Sequence, residues 1–236
     1  MVSMSALHAL TAELHSGFLT LAFACVMIVA VAQIVVRLKK WMPGRFVRWA
    51  IVVRGYAEAA SYVAAVAGLL GLLLSAYTGM YAWPMSKLLD SGVVRNKILF
   101  TTYATVLWGA VVFLRTRFGR GLWTCPAMAF VYVGFAFIAY GFIGMTGSLG
   151  AHITQGGSVL DPLWNIVGFR VASTVEVGPQ IAAAIAIISA LIFVVSLWLA
   201  RRYDLFSVKL APETCQKFFK WDEPKMHLDV QESSTE

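Results

Sequence analysis

Gly17-Phe18-Leu19-Thr20-Leu21-Ala22-Phe23-Ala24-Cys25-Val26-Met27-Ile28-Val29-Ala30-Val31-Ala32-Gln33-Ile34-Val35-Val36 runs without a charge and is closed by Arg37, the first basic residue of the chain. A helix needs about 20 apolar residues to cross a hydrocarbon core, and this stretch supplies them. Further runs of that kind follow at 59–80, 98–114, 126–149 and 179–200. The third is short and is extended by Asn96 and Lys97 at the interface. Pro126 and Pro179 stand where proline is tolerated, in the first turn of a helix. No strand-like alternation persists, which argues against a β-barrel. The expectation is an all-α polytopic membrane bundle of about five transmembrane helices over residues 1–200. A polar tail, 201–236, is expected to be partly disordered.

Composition agrees. Of 236 residues, 59% are hydrophobic and only 13% charged. A soluble domain carries about 25% charged residues, so this chain has too little polar surface to face water. The net charge of +7 is no sign of nucleic acid, because the bases flank the apolar runs and so suit anionic head groups. Fifteen of the 19 lysines and arginines fall on one side of the expected spans, leaving Lys87, Arg95, Lys97 and Arg170 on the other. Under the positive-inside rule this puts the N-terminus outside and the C-terminus inside a multi-pass protein of the cell membrane. The bases follow the first run rather than precede it, so the run reads as an uncleaved span and not as a signal peptide.

Between the first two runs, bases alternate with Trp41, Phe46, Val47, Trp49 and Ile51, a pattern suited to a segment lying in the membrane interface. The second run carries Ala60, Ala64, Gly68, Gly71, Ser75 and Gly79. Small residues at such spacing let helices approach closely in lipid, which places this helix at the centre of the bundle. Glu58, at its inner end near Arg54, reads as an interfacial ion pair, with a proton-pathway role as the alternative. Cys25, Cys125 and Cys215 have no paired spacing and read as packing residues rather than a disulfide framework.

Chemistry-bearing residues gather on the expected outer side. His8 and His15 are two helical turns apart and share one face if the helix begins near Ser5. His152 follows Gly144, Gly147 and Gly150 and precedes Gly156-Gly157, at the outer end of the fourth run. Two imidazoles from different helices can clamp a planar porphyrin, and the glycines beside His152 would give that plane room. His15 and His152 are the expected axial ligands of haem iron, with His8 an alternative ligand or proton acceptor. Met145 and Met80 are second choices. Copper or zinc, with Glu13 or Asp161 as oxygen ligands, is the alternative occupant, though no H-x-H or H-x3-H spacing supports it. The competing reading makes each histidine an amphipathic residue at home in the head-group zone. His227 reads as a solvated tail residue.

The N-terminal histidine pair leading into a span, with a later Thr-Gly-x-Leu-Gly-x-His stretch followed by Gly-Gly, resembles a family of small cytochrome-b-like multi-helix membrane proteins. The matching residues are His8, His15, Gly147, Leu149, Gly150, His152, Gly156 and Gly157. They cover two helix ends. The first pair is spaced more widely here than in the family, which makes His8 the weaker match. The resemblance implies four or five helices and haem b.

There is no Walker or Rossmann loop beside a strand, and no HExxH, GxSxG or CxxC. The first functional expectation is a membrane-embedded redox or electron-transfer subunit that binds haem b near the outer face and exchanges electrons with quinol or other membrane subunits. The second is a non-catalytic accessory subunit of a larger membrane complex. The third is a metal-dependent membrane oxygenase subunit. An enzymatic activity of the chain's own does not follow from these residues.

Overall fold

A computed structural model describes residues 3–82, 91–166, 168, 198 and 202. Four helices long and apolar enough to cross a membrane account for most of these residues. They are α1 (Met4–Arg37), α2 (Gly44–Ala82), α3 (Gly92–Phe118) and α4 (Pro126–Gln155). A 3-10 turn, Gly119–Trp123, follows α3, and a short helix, α5 (Asp161–Ile166), follows α4. No strand occurs among the described residues. The chain is therefore a multi-pass helical membrane protein, as expected. The fifth expected span, 179–200, and the tail lie outside the described residues.

The helices overrun the apolar runs because capping, not hydropathy, sets their ends. Ser3 starts α1 by accepting a hydrogen bond from Ala6 N–H (3.2 Å), which satisfies one of the orphan donors of the first turn. Pro126 opens α4, and Gly156 closes it in the left-handed region at φ 77°, a conformation glycine takes without strain. His152 consequently lies inside α4 rather than in the loop beyond it. The largest departure from expectation concerns the base- and aromatic-rich stretch after α1. It is not a separate segment in the interface plane: from Gly44 onward it is the first part of α2, continuous with the span. With the lower half of α1 it walls an apolar groove of about 670 Å³, lined by Met27, Ile28, Val31, Val35, Phe46 and Trp49 among others.

Among the described residues, two antiparallel hairpins make the bundle: α1 packs chiefly on α2, and α3 on α4. The core between them includes Leu19, Val26, Val29, Leu72, Trp108, Val111, Tyr132 and Ile143. The small-residue stripe of α2 does what its spacing suggests. A Cβ at Gly68 would stand 2.5 Å from Leu19 Cδ2 and 3.1 Å from Leu19 N, so only glycine lets the α1 backbone come this near. Ala60, at the start of the stripe, is exposed instead.

The base-rich end is tied by polar side chains. Glu58, 5% exposed, pairs with Arg115 of α3 and, through Oε2 at 3.1 Å, with Nε of Arg120 in the 3-10 turn. Arg54, the partner expected for Glu58, instead donates to Gln33 Oε1 of α1 (2.6 Å), whose amide donates to the Trp123 carbonyl (3.2 Å). Cys25 is free and buried. Cys125 is disulfide-bonded, contrary to the expectation of unpaired thiols; its partner lies outside the described residues.

Candidate functional site

Three observations place the histidines at one end of the bundle. His8 and His15 project from α1 onto α2, over its glycines: a Cβ at Gly71 would stand 3.0 Å from His15 Cβ, and one at Gly79 3.0 Å from His8 Cε1. Lys97, on the second turn of α3, acts electrostatically on both rings. Lys97 Nζ also lies 3.3 Å from the point where a Cβ would stand at Gly150 on α4, two residues before His152. The seven-residue step from His8 to His15 thus does put both on one face, and that face is turned to α2.

The hydrogen bonds decide the tautomers. His15, 8% exposed, bonds through Nδ1 to the Thr11 carbonyl oxygen at 2.9 Å. A carbonyl can only accept, so Nδ1 carries the proton and the neutral ring keeps its lone pair on Nε2. His8 does the same, with Nδ1 donating to Ser75 O at 3.0 Å and Thr78 Oγ1 beside it at 3.4 Å. Thr11 and Thr78 join α1 to α2 through their hydroxyls at 3.2 Å, while each also donates to carbonyls of its own helix.

His152 is set the other way round. Its Nε2 faces Asp161 Oδ1 at 3.0 Å, so Nε2 carries the proton. The second carboxylate oxygen, Oδ2, accepts from Ser158 N–H at 2.9 Å. Ser148 Oγ accepts from Trp164 Nε1 at 2.9 Å and from Ser158 Oγ at 3.1 Å. Together these bonds fold the 156–160 connection and α5 back onto the end of α4. The bond from the Ser158 backbone, and then His152, hold the Asp161 carboxyl below its ordinary range.

Among the described residues, no group of three His, Cys, Asp or Glu side chains gathers as a metal site. Glu13 is exposed, and of the three histidines Asp161 meets only His152. Met145 packs in the cluster around Phe100 and Leu149, whereas Met80 is 52% exposed. The histidines of α1 and His152 therefore do not form one cluster of ligating side chains. The position that approaches both helices is held by Lys97, which sequence reading had treated only as an interfacial base. Its signal was its position, the last charge before the apolar run that opens at Ile98.

Set against known proteins, the chain matches no family model, no curated protein and no solved structure.

Proposed function

We propose that the chain is a membrane-embedded electron-transfer subunit of the cell membrane that takes a haem b at the histidine end, with His15 as its first iron ligand. The observation that carries this reading is the His15 tautomer. An imidazole whose Nδ1–H is fixed on a backbone carbonyl presents a neutral Nε2 lone pair, which is how metal-ligating histidines are commonly oriented. His8 has the same tautomer and is the alternative ligand from α1. His152 fits less directly, because its Nε2 is engaged by Asp161. Ligation through that atom requires the Asp161 contact to open, whereas ligation through Nδ1, which holds the lone pair in this tautomer, leaves the contact intact. When bound, the haem would supply one-electron chemistry; the residues named here would orient it. Quinol or a neighbouring subunit would be the exchange partner.

The test is the visible spectrum of the full chain purified in mild detergent, oxidised and dithionite-reduced. A Soret band and a reduced α-band that disappear in His15→Ala are the expected result. A colourless protein from haem-replete membranes, or a band unchanged in His15→Ala and His8→Ala alike, sinks the reading.

A second reading, an accessory subunit of a larger membrane complex, rests on a separate observation. Only 22–39% of the most apolar window of each span is buried within the chain. Co-purification with other subunits from a colourless preparation would favour it.

A further inference from the structure

The most conspicuous unsatisfied chemistry at the histidine end is not a metal-ligand cluster but an ammonium. Lys97 is half-buried, lies against the backbone of α4 at Gly150, and its amine has no hydrogen bond or ion pair among the described residues. Charged amines in such positions are ordinarily paired. Among the described residues, the acids at this end are used or turned away: Asp161 faces His152 and Ser158, and Glu13 is exposed. The rings of His8 and His15 offer Lys97 no compensating charge.

A second polar group points to the same place. Thr146 stands one helical turn below Gly150 on the same face of α4, about 6 Å deeper along the axis. It is 7% exposed, and its Oγ1 is buried without a partner. A threonine in a helix normally returns its hydroxyl to the carbonyl three or four residues back, as Thr101, Thr102, Thr105 and Thr154 all do here. Thr146 does not. A buried donor left unmade is unfavourable, and it stands beside the glycine against which the unpaired ammonium rests.

We infer that Lys97 and Thr146 bind the oxyanionic head of a membrane-soluble ligand, on the face of α4 that carries Gly150. Lys97 supplies the charge, Thr146 the hydroxyl donor, and Gly150 the room, since a side chain there would displace the amine. The chemistry fits a carboxylate, such as a porphyrin propionate, or the phosphate of an anionic lipid. The first source deepens the haem reading and rests on it; the second does not.

Three probes separate these sources, and none contains iron. The full chain in neutral detergent is titrated with metal-free protoporphyrin IX, with its dimethyl ester, and with dioleoylphosphatidylglycerol, and binding is followed by tryptophan quenching and native mass spectrometry. Saturable one-to-one binding of one acid is expected. Lys97→Met should weaken it by about tenfold or more, and Thr146→Val less, as for loss of a charge-assisted and a neutral hydrogen bond respectively. Lys97→Arg should retain binding. Preference for the free porphyrin over its ester assigns the carboxylate, and preference for the phospholipid assigns the phosphate. The inference is overturned if neither acid binds, or if Lys97→Met, folded by its melting profile, binds as the parent does. A haem spectrum lost in His15→Ala but unchanged in Lys97→Met, with no phospholipid effect, overturns this inference alone. Lys97-dependent phospholipid binding by a colourless protein overturns the haem reading alone.

Discussion

At the scale of single residues, Asp161 has the clearest pH dependence. Its carboxyl titrates below the ordinary value of 3.8, chiefly because it accepts from Ser158 N–H and then because His152 bonds to it. A carboxyl depressed by folding stabilises the folded state above its unfolded pKa, and that contribution is lost as pH falls through the lower folded value. The contribution of Asp161 to the fold of the 156–160 connection over α4 should therefore be intact at about pH 5 and be lost only below about pH 4. Hydrogen exchange at Ser158 and Leu160 is the measurement; in Asp161→Asn the same amides should exchange fast at neutral pH. The spacing of His8 and His15 was readable without coordinates, because two helical turns restore one face. Which neighbour that face meets was not, since a single sequence holds no record of helix-helix pairing. The His152–Asp161 contact was hidden for a different reason. It depends on α4 running on to Gln155, past the end of the apolar run, and on the turn at Gly156.

Among the elements, α2 is where sequence reading succeeded and failed together. Its small-residue stripe announced close packing, and Gly68 is the point of closest approach. Gly68→Ala should force α1 and α2 apart, at about 1–3 kcal/mol as for overpacking of a close-packed interior. Gly134→Ala, where a Cβ meets nothing within 4 Å, should leave stability unchanged or raise it by up to about 1 kcal/mol through helix propensity. Thermal unfolding of both variants in one detergent makes the comparison. The start of α2 was misread because its bases and aromatics have the composition of an interfacial segment, while no proline or cap interrupts them. Composition distinguishes lipid from water but does not distinguish a helix that lies flat from one that continues upward. For α3 the expected run began at Ile98, and the turn that precedes it carries Asn96 and Lys97. Those polar residues extend the span, as expected, but inside a helix that begins at Gly92, and Asn96 is buried rather than at the interface.

For the molecule as a whole, Glu58 joins the two hairpins at the base-rich end. Glu58→Gln leaves the Arg115 guanidinium buried without its counter-charge, and losses of about 3–5 kcal/mol are usual for breaking a buried pair from one side. Arg120, with a side chain 81% exposed, should matter far less, by about 0–1 kcal/mol; melting temperatures of Glu58→Gln and Arg120→Ala give the order. The positive-inside expectation puts this end in the cytosol. The disulfide at Cys125 is the feature that pulls the other way, since such bonds persist in oxidising compartments. A reporter inserted between Leu38 and Pro43 and active only in the cytosol should be active; silence there, with activity from an insertion at Gly157, would invert the whole bundle. The unbroken run of α2 has one further consequence. Its 39 residues make a rod of about 58 Å, nearly twice the roughly 30 Å hydrocarbon core. Glu58 and the glycines under His15 and His8 are carried on that single shaft, with no hinge between them. A push on the base-rich stub of the rod, by a neighbouring protein or by a change in bilayer thickness, would be delivered as a tilt of the floor on which both imidazoles rest.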